Sequence, residues 1–387
     1  MGEARTRWDR APPRWDLGTP SVDEFVSGMR TELRGLVRRA IAERMFPGAV
    51  VYVSRGGRTV WHEAFGRTTY DAAGSRPVRL GDLFDLASLT KLYTTALVLR
   101  LVERGALRLN DAVRAHVPQV RAGWTVEDLL AHRTGTTDDL LGWAVRRGIR
   151  PCEPGQEDAL WSVIFQCEAK VPLAPGQSRY SDVDLLLAGR VCERVAAARL
   201  AELMATEVFA PVGLGRTGFR PPDPGQCVPT EIDDRWRHRL VVGEVHDEMA
   251  ATLGGVAGHA GLFSTAAEVG RFCEAWLGLG QTDLLGEDMR ALAMRPHSDN
   301  FGLGWRLCNA SFFPSLQPAG AVGHLGFTGT SALLFPAAET VFVLLSNRVC
   351  PTRDAAPSRL PLLTHIAERI AALPEDIIEN VDRGKGG

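Results

Sequence analysis

Ser88-Leu89-Thr90-Lys91 is the first place in this chain where residue types and spacing suggest chemistry. A serine and a lysine three positions apart at a helix start lie on one face, one turn from each other. Unpaired N–H groups and the dipole at a helix N-terminus favour negative charge there. Such a serine can act as an alkoxide equivalent, and its own N–H can steady an oxyanion. The lysine accepts or relays the serine proton if burial lowers its pKa. Four residues with two fixed recur by chance, and the plainer reading is a capping serine beside a solvated lysine. Two features weigh against it. Only Lys91, Lys170 and Lys385 are lysines among 44 basic residues. Lys91 is also flanked by Ala87, Leu89, Leu92 and Tyr93. Arginine does not give up its proton, so lysine chemistry has only these three positions.

Three further groups bear on a site. Tyr180-Ser181-Asp182 begins a helix after Pro172–Gly176; its plain reading is a half-buried aromatic with Asp182 near a cap. His324-Leu325-Gly326 lies on a strand-like run before Phe327-Thr328-Gly329. His246-Asp247-Glu248 and Gly258-His259-Ala260-Gly261 contain metal-ligand types. Their spacing matches no closed metal motif, so hydrogen bonds that order a loop are expected, with no metal and no cofactor. There is no G-x-S-x-G elbow, no Walker loop and no dinucleotide fingerprint in a strand–helix context.

The elements that must position these residues follow from periodicity. Residues 1–20 read as an N-terminal arm. Ser21-Val22-Asp23-Glu24 is a capping box, followed by Phe25, Val26, Met29, Leu33, Leu36, Val37, Ala40 and Ile41 at helical spacing. Ala49–Ser54 and Thr59–Phe65 read as a hairpin around Arg55-Gly56-Gly57-Arg58. The middle is helical: Ser88–Arg104, a helix capped at Thr125 and ending near His132, then Asp182–Val195 and Leu200–Phe209. Stretches 135–155 and 219–231 read as loops. Thr265-Ala266-Ala267-Glu268 is a second capping box. Strand-like runs Ala321–Leu325, Ser331–Phe335 and Val341–Leu345 follow, then a helix at about 360–373 and a Gly-Lys-Gly-Gly tail. Strands at both ends with helices between predict an α+β body, 21–87 with 251–387, interrupted by a helical domain, 88–250. Trp143, Trp161 and Phe165, with Arg146, Arg147 and Arg150, either line the cleft or pack the helical domain.

Composition narrows the function classes. The 387 residues carry 45% hydrophobic and 23% charged residues, with formal net charge −2. No basic excess points to nucleic acid, and no apolar run reaches membrane-spanning length, so neither partner is expected. Seven scattered cysteines without C-x-x-C fit a reducing compartment. With no apolar segment of signal-peptide type near the start, a cytoplasmic protein is expected. Oligomeric state is not read from this sequence.

Taken in order, Ser88-x-x-Lys91, Tyr180-Ser181-Asp182 and His324-Leu325-Gly326 resemble the serine β-lactamase and penicillin-binding-protein superfamily, whose motif set is S-x-x-K, S-D-N and K-T-G. The variant is most similar to the branch holding class C β-lactamases and family VIII carboxylesterases. Supporting segments are Gly105–Asp111, Thr125–Gly135, Gly254–Thr265 and Gly302–Trp305. The resemblance implies an antiparallel sheet flanked by helices with an inserted helical domain. It implies that Ser88 is the acylated nucleophile and that Lys91 and Tyr180 share its proton. His324 would stand near the Tyr180 hydroxyl in place of the third-motif lysine. The N–H groups of Ser88 and Phe327 would form the oxyanion hole beside Gly326. Asp182 would face the acyl side or bridge to Lys91. His324-Leu325-Gly326 lacks the lysine and hydroxyl that grip a carboxylate, and Asp182 replaces an amide with a charge. Both departures point from β-lactams towards hydrolysis of an ester or amide of another small molecule. Arg353 would then be a substitute carboxylate anchor; in so arginine-rich a chain the plainer reading is a surface arginine. Acyl transfer from the same acyl-enzyme, D,D-peptidase or β-lactamase activity, and an inactive binding protein are the alternatives.

Overall fold

A computed structural model describes residues 22–71, 74–280, 284–355 and 357–373. The predicted arm, the Ser21 cap and the terminal Gly-Lys-Gly-Gly lie outside the described residues, as do the side chains of Phe25 and Val26. The first helix is Val22–Ala42. Met29, Leu33, Leu36, Val37 and Ala40 recur every three or four residues and are all buried.

Six antiparallel strands form the main sheet. Their order across it is Arg58–Gly66, Gly48–Arg55, Thr340–Ser346, Ser331–Phe335, Val322–Leu325 and Arg306–Leu307. The predicted hairpin pairs as read, Ala49 opposite Phe65, with a bulge between Val53 and Ser54. Gly48–Arg55 and Thr340–Ser346 lie side by side at the centre, Val51 opposite Leu344, and every residue of both is buried. Their near-continuous apolar runs are what a strand covered on both faces requires. One face packs on Val22–Ala42 and on the last helix, Leu360–Ala371, through Leu363, Ile366 and Ile370. The other packs on Ala266–Leu277 and continues into the helical core. Each such Leu, Ile or Phe contributes about 1.5–3 kcal/mol by leaving water.

Thr90–Glu103 crosses the middle of the molecule, buried from Thr90 through Leu99. Apolar and small residues on all its sides account for that burial. It packs on Asp182–Ala196. A small sheet of Phe84–Asp85, Leu262–Ser264 and Gly218–Phe219 holds the segment just ahead of it.

Several local expectations are corrected. The helix predicted from Ser88 begins at Thr90, after a 3-10 turn Ala87–Leu89. The predicted loop 135–155 contains a helix, Leu140–Val145, capped by Asp139. The run Leu200–Phe209 is helical only to Met204 before a π turn takes over. Thr265 caps its helix, but the Glu268 carboxylate is drawn away to the Arg216 N–H and the Thr217 hydroxyl. Among the described residues no helix is long and apolar enough to cross a membrane.

Candidate active site

Ser88 sits on a turn whose shape is imposed from outside it. Ala87 is held at φ +46°, left-handed backbone that costs a residue with a Cβ about 1–3 kcal/mol. Buried Asp85 supports the turn by accepting from the N–H groups of Ala87 (2.8 Å) and His246 (2.6 Å). The third motif is fastened to the same turn. The Thr328 and Thr330 hydroxyls donate to the carbonyls of Asp85 and Leu86, 2.7 and 2.9 Å. Gly326 lies so close that a Cβ would come within 2.5 Å of the Leu86 carbonyl. Among the described residues, the main-chain N–H groups of Ser88 and Phe327 have no acceptor. Two free donors beside a serine hydroxyl are what an oxyanion hole needs.

Two side chains converge on Ser88 Oγ: Lys91 Nζ and the Tyr180 hydroxyl, each at 2.9 Å. Lys91 also donates to the His259 carbonyl (3.0 Å) and pairs with Asp182 Oδ1 (2.8 Å). An ammonium has three N–H bonds, and these are three acceptors. Burial works to lower the Lys91 pKa, but the Asp182 charge and then Tyr180 outweigh it, so the net shift is upward. The condition set on the lysine, a pKa lowered by burial, is therefore not met: the Asp182 charge favours the ammonium form. Burial raises the Tyr180 pKa, and the Lys91 charge opposes that.

The sequence segments around Tyr180 act as its mount. His132, at the end of the Thr125–Gly135 motif, lies 4.8 Å from the Tyr180 ring, centroid to centroid. His132 Nδ1 lies 2.9 Å from buried Asp184, which also accepts from the Thr134 hydroxyl at 2.6 Å. The Gly254–Thr265 motif supplies carbonyls to the lysine helix, including Gly258 O to the Thr94 hydroxyl at 2.6 Å.

The sequence signature of the Beta-lactamase family matches residues 33–364. The chain belongs to the β-lactamase family. It is a serine hydrolase of that family. It is 30% identical over 383 residues to the Salmonella paratyphi A protein named "Putative D-alanyl-D-alanine carboxypeptidase", covering 86% of each chain. A protein of the same name from Escherichia coli K12 is 29% identical over 370 residues, covering 83% of this chain and 84% of that one. Among solved structures, EstCE1, a hydrolase with promiscuous acyltransferase activity, superposes with TM-score 0.70 at 22% identity, covering 90% and 99%. A class C β-lactamase from Rhodobacter sphaeroides gives 0.63 at 20% identity, covering 87% and 99%. The shared β-lactamase fold is therefore an α+β one.

In this β-lactamase relative the cleft has two cavities that meet at Ser88, Tyr180 and Phe327. The larger, about 400 Å³, runs along His324–Phe327. The smaller, about 230 Å³, is lined by Asp182, Asp247, Glu248, His246 and Arg353. Phe327 stands between them, 51% exposed.

His324 lines the larger cavity with its ring 6.0 Å from that of Tyr180. Its Nδ1 hydrogen bonds the adjacent Leu325 carbonyl (3.1 Å), while the Tyr180 hydroxyl turns to Ser88. Burial first, then the Lys91 charge, hold the His324 pKa well below its ordinary value, so the ring is neutral. Arg353 is not a surface arginine. It is walled in by Glu231 (2.6 Å) and Glu248 (2.8 Å). Against burial, hydrogen bonds from His246 and then from Arg353 hold the Glu231 pKa down at about 2. A guanidinium already shared by two carboxylates is a poor anchor for a third. The aromatic loop residues pack inside: Trp143 is buried under Arg147, and Trp161 stacks on Phe165.

Sequence reasoning missed several members. Asp85 carried no motif. Asp247 was read only as part of a loop cluster. It pairs with His259 at 2.9 Å, and this partner with Lys91 outweighs burial to hold its pKa low. Ligand atoms of Asp182, Asp247 and His259 lie within 4.8 Å of one another, but Lys91 already supplies the cation there. Arg306, Arg348 and Arg359 were not singled out at all, and all three line the larger cavity.

Proposed function

We propose that Ser88 is the nucleophile of a hydrolase acting on an ester or amide bond of a small molecule through an acyl-enzyme. The observation that carries this is the convergence of Lys91 Nζ and the Tyr180 hydroxyl on one oxygen. Ser88 Oγ attacks the substrate carbonyl and passes its proton to the Lys91–Tyr180 pair. With Lys91 held as an ammonium by Asp182, the receiving atom is the Tyr180 oxygen as phenolate, formed when the hydroxyl loses its proton to solvent before attack; burial opposes that loss and the neighbouring cation makes it less costly. The oxyanion rests on the N–H groups of Ser88 and Phe327. Tyr180 then protonates the leaving alcohol or amine. Water attacks the acyl-enzyme, gives a proton to Tyr180, and the acid departs as Ser88 recovers its own.

The relatives' names lend support to peptidase activity, and the neighbours' titles to ester hydrolysis and acyl transfer. The histidine at 324 favours the ester or amide reading over β-lactam turnover. A cytoplasmic location belongs to the same proposal; seven free cysteines support it.

Rapid mixing with a p-nitrophenyl ester tests the reading. We expect a burst of about one equivalent of p-nitrophenol followed by slower turnover. Partition of the acyl group to an added alcohol measures transfer against hydrolysis. Absence of any ester or amide turnover contradicts the proposal.

A further inference from the structure

The larger cavity holds an unbalanced charge. Arg306, Arg348 and Arg359 line it, and among the described residues none of the three pairs with a carboxylate. Three other buried or half-buried arginines do pair with acids: Arg237 sits with Asp233 and Glu244, Arg133 with Glu127 and Asp128, Arg353 with Glu231 and Glu248. Arg359 is only 8% exposed. Its Nη2 donates to the Gly326 and Thr330 carbonyls, while its Nε is buried without an acceptor. Arg306 lies over the Phe312 ring at 4.4 Å, its Nε also buried and unpartnered. Arg348 donates to the Phe327 carbonyl at 3.5 Å and lies 5.9 Å from the centre of the Phe327 ring. Burial first, then the Arg348 charge, push the Arg359 pKa down to about 9, so it is still cationic at neutral pH.

An uncompensated buried charge is costly, and three around one cavity repel each other. A ligand that brings the counter-charge removes that cost. One carboxylate answers one guanidinium fork; a group with two negative charges answers two, and the planar forks suit both carboxylate and phosphate oxygens. Phe301, Phe312 and Phe327 offer the same ligand an apolar wall.

We propose that the substrate carries a dianionic group, a phosphate monoester or a dicarboxylate, on the part that lies along His324–Phe327, seated by Arg306 and Arg348 with Arg359 behind them. This rests on the preceding reading only in placing the scissile bond at Ser88. The two cavities differ in kind: the acids of the smaller one already have cationic partners, so the charge selection falls to the larger one, which has no acid in its lining.

Calorimetric titration of the Ser88→Ala protein at about pH 7.5, where a phosphate monoester is mostly dianionic, tests this with four probes. They are phenyl phosphate, phthalate, benzoate and benzamide. At least one dianion is expected to bind about 10-fold or more tightly than benzoate, as one added charge-assisted contact gives, with benzamide weakest. Tight phenyl phosphate with weak phthalate assigns a phosphate; the reverse assigns a dicarboxylate. Arg306→Gln and Arg348→Gln each remove about 10-fold of that affinity, and Arg306→Lys recovers part of it. Benzoate binding as tightly as both dianions overturns the proposal, and so does dianion affinity unchanged in both glutamine variants. The four-probe ranking needs no arginine variant, so a variant that fails to fold leaves it standing. Because binding is read without turnover, failure here is distinct from the absence of ester hydrolysis in the wild type.

Discussion

Charges behind Ser88 and charges in front of it are organised in opposite ways. Behind it, Lys91 has three acceptors for three N–H bonds, Asp247 has His259, and Arg353 has two glutamates. In front of it, three arginines face a cavity with no acid among them. A network saturated in charge partners, even with one buried nitrogen (His259 Nδ1) left without a hydrogen bond, has its protonation states set before substrate arrives, which suits proton handling. An unsaturated one is completed by what binds, which suits selection.

The contrast can be broken most severely at the proton relay. Lys91→Ala and Tyr180→Phe are each expected to slow acylation by at least ~100-fold, read as the burst rate with a p-nitrophenyl ester. Near-normal rates in both would mean that the saturated network is only structural.

Next in size is stability. Arg353→Ala leaves Glu231 and Glu248 buried without their shared cation, and is expected to cost about 3–5 kcal/mol in urea unfolding. A loss below about 1 kcal/mol, the range of an exposed pair, would remove the distinction between the two regions.

A smaller effect comes from His324. Its folded pKa lies well below the ordinary 6.5, so the unfolded chain takes up a proton that the folded one refuses. The stability this gives is full above about pH 6.5 and falls as pH drops through that value, by up to about 1.4 kcal/mol per pH unit. His324→Gln should flatten the loss between about pH 6.5 and pH 5. An identical slope in the variant would place the titrating group elsewhere.

The smallest shift is expected in front of the nucleophile. Arg306→Gln removes an unpaired cation, so it should change unfolding free energy by less than about 1 kcal/mol, and in the stabilising direction. A large destabilisation would mean that Arg306 is a structural member after all.

What was legible in the sequence follows the same division. Ser88 and Lys91 are three residues apart on one turn, and Tyr180 opens a recognisable motif, so local spacing revealed the relay. The strands and the two flanking helices were legible because continuous apolar runs and three-to-four spacing report burial directly. The cation state of Lys91 was not, because it depends on Asp182 across 91 residues of chain and on the His259 carbonyl. Arg353 was misjudged for the same reason: its partner Glu231 is 122 residues away. Arg306, Arg348 and Arg359 come from a strand, the turn after another strand and a helix cap, and in a chain with three lysines among 44 basic residues no single arginine stands out. Only the fold makes them neighbours.

The central claim is that Ser88 carries the acyl group. Treatment with a fluorophosphonate, followed by intact-mass spectrometry and peptide mapping, tests it most directly. The account predicts one adduct on wild-type protein, located on the peptide containing Ser88, and none on Ser88→Ala. No mass gain on the wild type, or an equal gain on Ser88→Ala, would contradict it.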